Sequence, residues 1–191
     1  MSVSLEARLD EILRGAPMLM QVLRAARELA LPDWLIVSGA LYQRVFNHLT
    51  GRGPDYGVKD YDLVYYDPSD LSYEAEDVVI RRVADAFEPP LRGQVEVRNQ
   101  ARVHLWFEDR FGEPYAPLGS SAEALDRFVS PVFAVGARLT ASDRIEIVAP
   151  FGLADLFAMR MRPNPGRRTR NFEPIAQNLL KRWPELKVER T

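Results

Sequence analysis

Residues 56–68 read YGVKDYDLVYYDP. Asp60 and Asp62 stand one residue apart at the head of a β-favouring run that continues to Tyr66 and is closed by Asp67-Pro68. Side chains alternate along a strand, so both carboxylates leave the same face, with Cα atoms ~6.5 to 7 Å apart. Such a pair is either two solvated charges at a strand edge or the two sides of a cation site. Magnesium takes oxygen ligands, commonly one or two carboxylates plus substrate phosphates. Two such ions ~3.5 to 4 Å apart serve an in-line displacement at phosphorus.

The residues on either side decide between these readings. Upstream, Trp34 to Val37 is a short apolar run, Ser38-Gly39 is its exit, and Leu41, Val45 and Leu49 follow at helical spacing. This predicts strand, tight turn and helix. The first N–H groups of such a helix, with its dipole, favour phosphate, and glycine permits close approach. Thr50 to Lys59 holds three glycines and a proline, and is expected to be a loop free to move. Downstream, a helix is expected over Tyr73 to Phe87, with Val79, Val83 and Phe87 on its inner stripe. Strands are expected at Val95 to Arg98 and Val103 to Phe107, the first holding Glu96 between two valines. Glu96 is the candidate third carboxylate.

The ends are helical in pattern. Residues 1–30 carry two amphipathic stretches broken at Gly15-Ala16-Pro17. Residues 150–191 carry GLADLFAMRM and FEPIAQNLLKRW as a helical extension. Between them, Ser121 to Leu125 reads as a short capped helix, and Pro131 to Pro150 as two strands around Ala141-Ser142-Asp143. The sum is one α/β or α+β domain over 1–191 with a small mixed sheet.

Composition narrows the partners. The 191 residues carry 25 Lys plus Arg against 27 Asp plus Glu, a net charge of −2. No global positive field is present to hold a long nucleic acid. Cysteine is absent and histidine occurs twice, which excludes thiolate sites and argues against a histidine-rich zinc site. No apolar run reaches the ~20 residues of a membrane span, and the start has neither a signal-peptide nor an anchor pattern. The expected compartment is the cytoplasm.

The stretches SGALYQRVFNHLTG, VKDYDLVYYD, VEVRNQARVHLWF and APFGLADLFAMRMRPNP resemble a family of small bacterial nucleotidyltransferase-like proteins. That family lies in the superfamily typified by DNA polymerase β, and the resemblance runs from about Trp34 to Trp183. It implies the nucleotidyltransferase fold, with Ser38 and Gly39 at a nucleotide triphosphate, and Asp60, Asp62 and Glu96 binding two magnesium ions. It also implies transfer of a nucleoside monophosphate to an acceptor that the sequence does not name. The superfamily contains members that keep the fold without transfer, so a non-catalytic nucleotide-binding or partner protein is the alternative. The common superfamily turn is Gly-Ser or Gly-Gly, whereas here the hydroxyl precedes the glycine.

Two other families use similar acids. In haloacid-dehalogenase-type phosphatases and in sugar-nucleotide glycosyltransferases the apolar strand precedes the aspartate, and here it follows. Secondary candidates are Lys59, His104, Asn99 and Arg102, and the run Arg160, Arg162, Arg167, Arg168 and Arg170, which contains no acid. For each of these a structural role is the commoner meaning. Trp106, Phe107, Phe151 and Phe157 are expected in the core.

Overall fold

In a computed structural model, which describes residues 3–167 and 170–190, the chain begins with helices α1 (Leu5–Arg14) and α2 (Pro17–Glu28). The Ser4 hydroxyl accepts from the Ala7 N–H to start α1, and Pro17 opens α2, where a missing N–H costs nothing. Strand β1 (Leu35–Val37) and helix α3 (Gly39–Leu49) follow, then β2 (Tyr61–Tyr65), α4 (Tyr73–Asp85) and β3 (Val95–Asn99). Short helices α5 (Phe107–Phe111) and α6 (Ser121–Leu125) lead to the hairpin β4 (Gly136–Leu139) and β5 (Ile145–Val148). The chain ends with α7 (Ala154–Phe157), β6 (Arg160–Met161), α8 (Phe172–Arg182) and β7 (Lys187–Val188).

Five strands form one mixed sheet in the order β3-β2-β1-β4-β5. In this sheet only β2 and β3 run parallel, with α4 in the long connection that a parallel pair requires; the other pairs are antiparallel. Alternation divides the sheet into two unequal faces. Ile36, Tyr61, Leu63, Tyr65, Val97 and Ala137 join the main core with α1, α2 and α3. Leu35, Val37 and Val64 meet a much smaller cluster, Leu125 and Ala134 with Phe128 and Phe151. Val37 lies directly across from Asp62, so Asp62 belongs to the thinly covered face. This asymmetry leaves room for a site.

Several expectations are corrected. Val103 to Phe107 is not a strand: Gln100–Leu105 is a 3-10 helix, started by the Asn99 side chain accepting from the Ala101 N–H. In GLADLFAMRM only Ala154–Phe157 is helical, and Arg160–Met161 pairs with β7. The cap of α6 is Ser120, whose hydroxyl accepts from the Glu123 N–H, and Ser121 is its first residue. Trp106 and Phe107 form a half-buried cluster with Phe111 and Tyr115 and are not core residues, whereas Phe151 and Phe157 pack against the two cores as expected.

Asn99 and Arg102 are also taken up internally. Glu76 of α4 accepts from the Asn99 N–H and pairs with the buried Arg102 guanidinium, whose Nε donates to the Leu71 carbonyl. Removing one partner of a buried pair strands the other charge. Glu76→Ala is therefore expected to cost about 3 kcal/mol, read as a lowered urea midpoint, with Glu76→Gln recovering part of the loss. A shift below about 1 kcal/mol would show that the pair does not lock α4 to β3.

Candidate functional site

The site is assembled where β1 ends, α3 begins, and β2 and β3 start. Ser38 makes the turn with φ 57° and ψ −117°, a conformation disfavoured for any residue with a Cβ. It is held by its N–H donating to the Val135 carbonyl, while its own carbonyl accepts from the Leu41 and Tyr42 N–H groups. The Ser38 hydroxyl does not cap the helix. The strained turn instead points the start of α3, whose first N–H groups have no acceptor within the helix, toward the acids.

Gly39 is close to Asp60: a Cβ placed on it would lie 4.0 Å from Asp60 Oδ1 and 3.1 Å from Gln43 Nε2. Asp60 is exposed, directly before β2. Asp62 is partly buried and pairs in register with Glu96 of β3, which is exposed. Sequence reasoning thus placed Ser38, Gly39, Asp60, Asp62 and Glu96, and the fold brings all five to one end of the sheet. Lys59 is exposed beside them.

Electrostatics couples the acids. Burial, then the neighbouring Asp60 and Glu96 carboxylates, push the Asp62 carboxyl from its ordinary 3.8 up to about 6, with Arg98 opposing. Three carboxylates and no soft ligand form a donor set suited to a hard cation. Among the described residues, however, no group of three or more Asp, Glu or His side chains is gathered closely enough to hold an ion as placed. Like charges facing one another favour separation or protonation, and a cation between them reverses that preference.

The sign of the pH effect follows. A carboxyl with a raised folded-state pKa favours folding in its protonated form. The cation-free protein should keep that contribution below about pH 4 and lose it as pH rises through about 6. Allowing for partial exposure, the loss is about 2 kcal/mol. Melting in chelator from pH 4 to 7.5, taken as wild type minus Asp62→Asn, isolates it. A flat difference would contradict the coupling.

Sequence reasoning missed four neighbours. Gln43, one turn beyond Gly39, is 6% exposed. Its Nε2 reaches only the Tyr42 hydroxyl, at 3.4 Å, and its Oε1 has no partner among the described residues. Burial raises the Tyr42 phenol; Asp60 and Asp62 add to this, while the Gln43 hydrogen bond and Arg182 oppose it. Tyr42 therefore lies within electrostatic reach of the acids and of α8. Arg98, two residues past Glu96 on β3, shares its face by alternation. Helical and strand spacing could have found Tyr42, Gln43 and Arg98, but no local signal leads to Arg182.

The other sequence candidates lie elsewhere. His104 is in the 3-10 segment beyond the far end of β3, part-buried, with Nδ1 unpartnered among the described residues. Arg160 and Arg162 both clamp the buried Asp155, at 2.7 Å each. Arg167 pairs with Glu113 at 2.7 Å, Arg170 is exposed, and Arg168 lies outside the described residues. Much of the basic run thus serves internal ion pairs.

The pattern that defines the Nucleotidyltransferase family matches residues 24–188. The chain belongs to the nucleotidyltransferase family. A solved structure described as an NMR structure revealing a CCA-adding enzyme head domain is similar throughout, with a TM-score of 0.77 and 25% identity over 96% of this chain and 95% of that one. A tRNA-processing enzyme in an apo form is similar at a TM-score of 0.47 and 20% identity, over 99% of this chain and 45% of that one. None of the curated proteins matches. The sheet with its flanking helices is accordingly the nucleotidyltransferase fold. Among the described residues no helix is long and apolar enough to cross a membrane.

Proposed function

We propose that this nucleotidyltransferase is a magnesium-dependent enzyme that moves a nucleoside monophosphate from a nucleotide triphosphate to an acceptor hydroxyl. The observation that carries the reading is the registration of Asp62 against Glu96 across two parallel strands, with Asp60 at the Gly39 turn. Similarity to a structure described as a CCA-adding enzyme head domain supports a nucleotide as the transferred group. Asp60 and Asp62, with Glu96, would hold magnesium. When bound, magnesium neutralises triphosphate charge and makes the acceptor hydroxyl more acidic.

The protein's own groups divide the remaining work. Gly39, having no Cβ, leaves space for a phosphate beside the first N–H groups of α3. Gln43 Nε2 lies over the same space and can donate to a phosphate oxygen. Glu96, exposed on β3 across from Asp62, is placed to take the acceptor proton, while the partly buried Asp62 stays shielded. The exposed face beyond Glu96 is left to the acceptor, and the compartment in which it is met is the cytoplasm.

The second reading, a nucleotide-binding or partner protein without transfer, is favoured by the carboxylates not closing into a three-ligand group. One experiment separates them. The protein is incubated with magnesium and each of the four ribonucleoside triphosphates in cell extract, and nucleotidylated products are sought by mass spectrometry alongside calorimetric binding. Binding with a product that Glu96→Gln removes supports transfer. Binding without any product supports the second reading.

A further inference from the structure

Beside the C-terminal half of α3, residues of α1, α3 and the loop after α3 line a half-open cavity of about 390 Å³. Its lining includes Arg44, His48 and Arg52, with Glu11 as the one acid. Arg44 and His48 are one helical turn apart on α3 and both line this space. We propose that this cavity is a second binding site, for the phosphate group of a small phosphorylated polyol.

Arg44 is the main argument. It is 1% exposed. Its Nη1 donates to the Ala40 carbonyl, and its Nη2 to Asp55 at 2.8 Å and the Tyr61 hydroxyl at 3.0 Å. Its Nε has no partner among the described residues. A buried donor left unmade is costly, and a guanidinium with a free N–H suits an oxyanion. Arg52 is held at the mouth by Glu185 at 2.9 Å, and that acid lies outside the lining. The volume exceeds what a phosphate ion fills and falls in the range of small-molecule pockets. Glu11 can accept from hydroxyl groups on the remainder of the ligand.

The site would also be coupled to the acids. Arg44 grips Asp55 on the loop before Asp60 and Tyr61 immediately after it. A ligand that draws on the same guanidinium therefore acts on both flanks of Asp60. None of this depends on nucleotidyl transfer.

Calorimetry in excess chelator, where the carboxylate site lacks the cation needed to attract phosphate, tests the proposal with inorganic phosphate, glucose 6-phosphate and glucose. Wild type is expected to bind glucose 6-phosphate, to bind inorganic phosphate more weakly, and to ignore glucose. His48→Ala combined with Arg52→Ala, both outside the main core, should weaken glucose 6-phosphate at least tenfold with an unchanged melting curve. The same double variant should still bind nucleotide with magnesium if the transferase reading holds, so the two readings fail separately. No binding by wild type, or equal binding by the double variant, overturns the proposal. Equal binding of phosphate and glucose 6-phosphate overturns the polyol part.

Discussion

Asp62→Asn is expected to abolish magnesium-dependent nucleotide binding and to lower any transfer about a thousandfold, while making the cation-free protein more stable. The two effects have one cause. Asp62 is partly buried beside Asp60 and Glu96, and its carboxyl is pushed up to about 6. Above that pH the ionised form is a charge held against its neighbours, and asparagine keeps the shape without the charge. The stability gain should be about 2 kcal/mol at neutral pH, seen in melting with chelator present. A residue kept for packing would lose stability on substitution; one kept for a cation gains it and loses function. Calorimetry with magnesium and nucleotide, run beside the melts, reads both signs. Unchanged magnesium-dependent binding would remove Asp62 from the site.

Trp183→Ala is expected to cost about 4 kcal/mol of stability. Trp183 closes α8 and is 0% exposed. Its indole donates to Asn47 Oδ1 at 3.0 Å, and its ring meets Phe46 and Tyr56 edge-on. Asn47 in turn donates to the Pro54 and Tyr56 carbonyls, and Arg182 to the Gly57 carbonyl. The loop Thr50 to Lys59 is therefore anchored, against the expectation from its three glycines. Gly57 itself sits at φ 74° with the Trp183 ring 3.0 Å from where a Cβ would be, so any other residue would be strained there and would press on the ring. Besides the lowered urea midpoint, the variant should show faster tryptic cleavage at Arg52 and Lys59. A stability loss with the loop still protected would assign Trp183 to the core alone.

The legible parts of the site are those encoded within a few residues. Strand, glycine turn and helix over 34–49 show as an apolar run, Ser38-Gly39 and an i, i+4, i+8 series; Asp60 and Asp62 show as alternation. Glu96 needed only a strand pattern, yet its pairing with Asp62 rests on the parallel register of β2 with β3, which no local pattern sets. Val103 to Phe107 has the composition of a strand, but Asn99 is bonded to Asp67 and Ala101 and turns the chain before it can extend. The same capture explains why Asn99 and Arg102 are not site residues. Arg160 and Arg162 looked like a phosphate grip because Asp155 precedes the run and its burial is set by tertiary packing. Arg182 acts on the loop 125 positions away, a distance over which no local pattern is informative.

The parallel pairing of β2 with β3 has a further meaning for how this chain tolerates change. Tyr61 to Tyr65 align with Val95 to Asn99 one for one. Lengthening or shortening the connection at 86–94 is harmless only if the extra chain is absorbed before the ladder begins. A slip of a single residue would turn Glu96 into the main core and present Val95 or Val97 to Asp62 in its place. The reading frame of the ladder, more than any one side chain, is thus what keeps a third carboxylate opposite the second. Natural length variants should therefore concentrate in the turn ahead of Val95 and spare the residues from Val95 to Asn99.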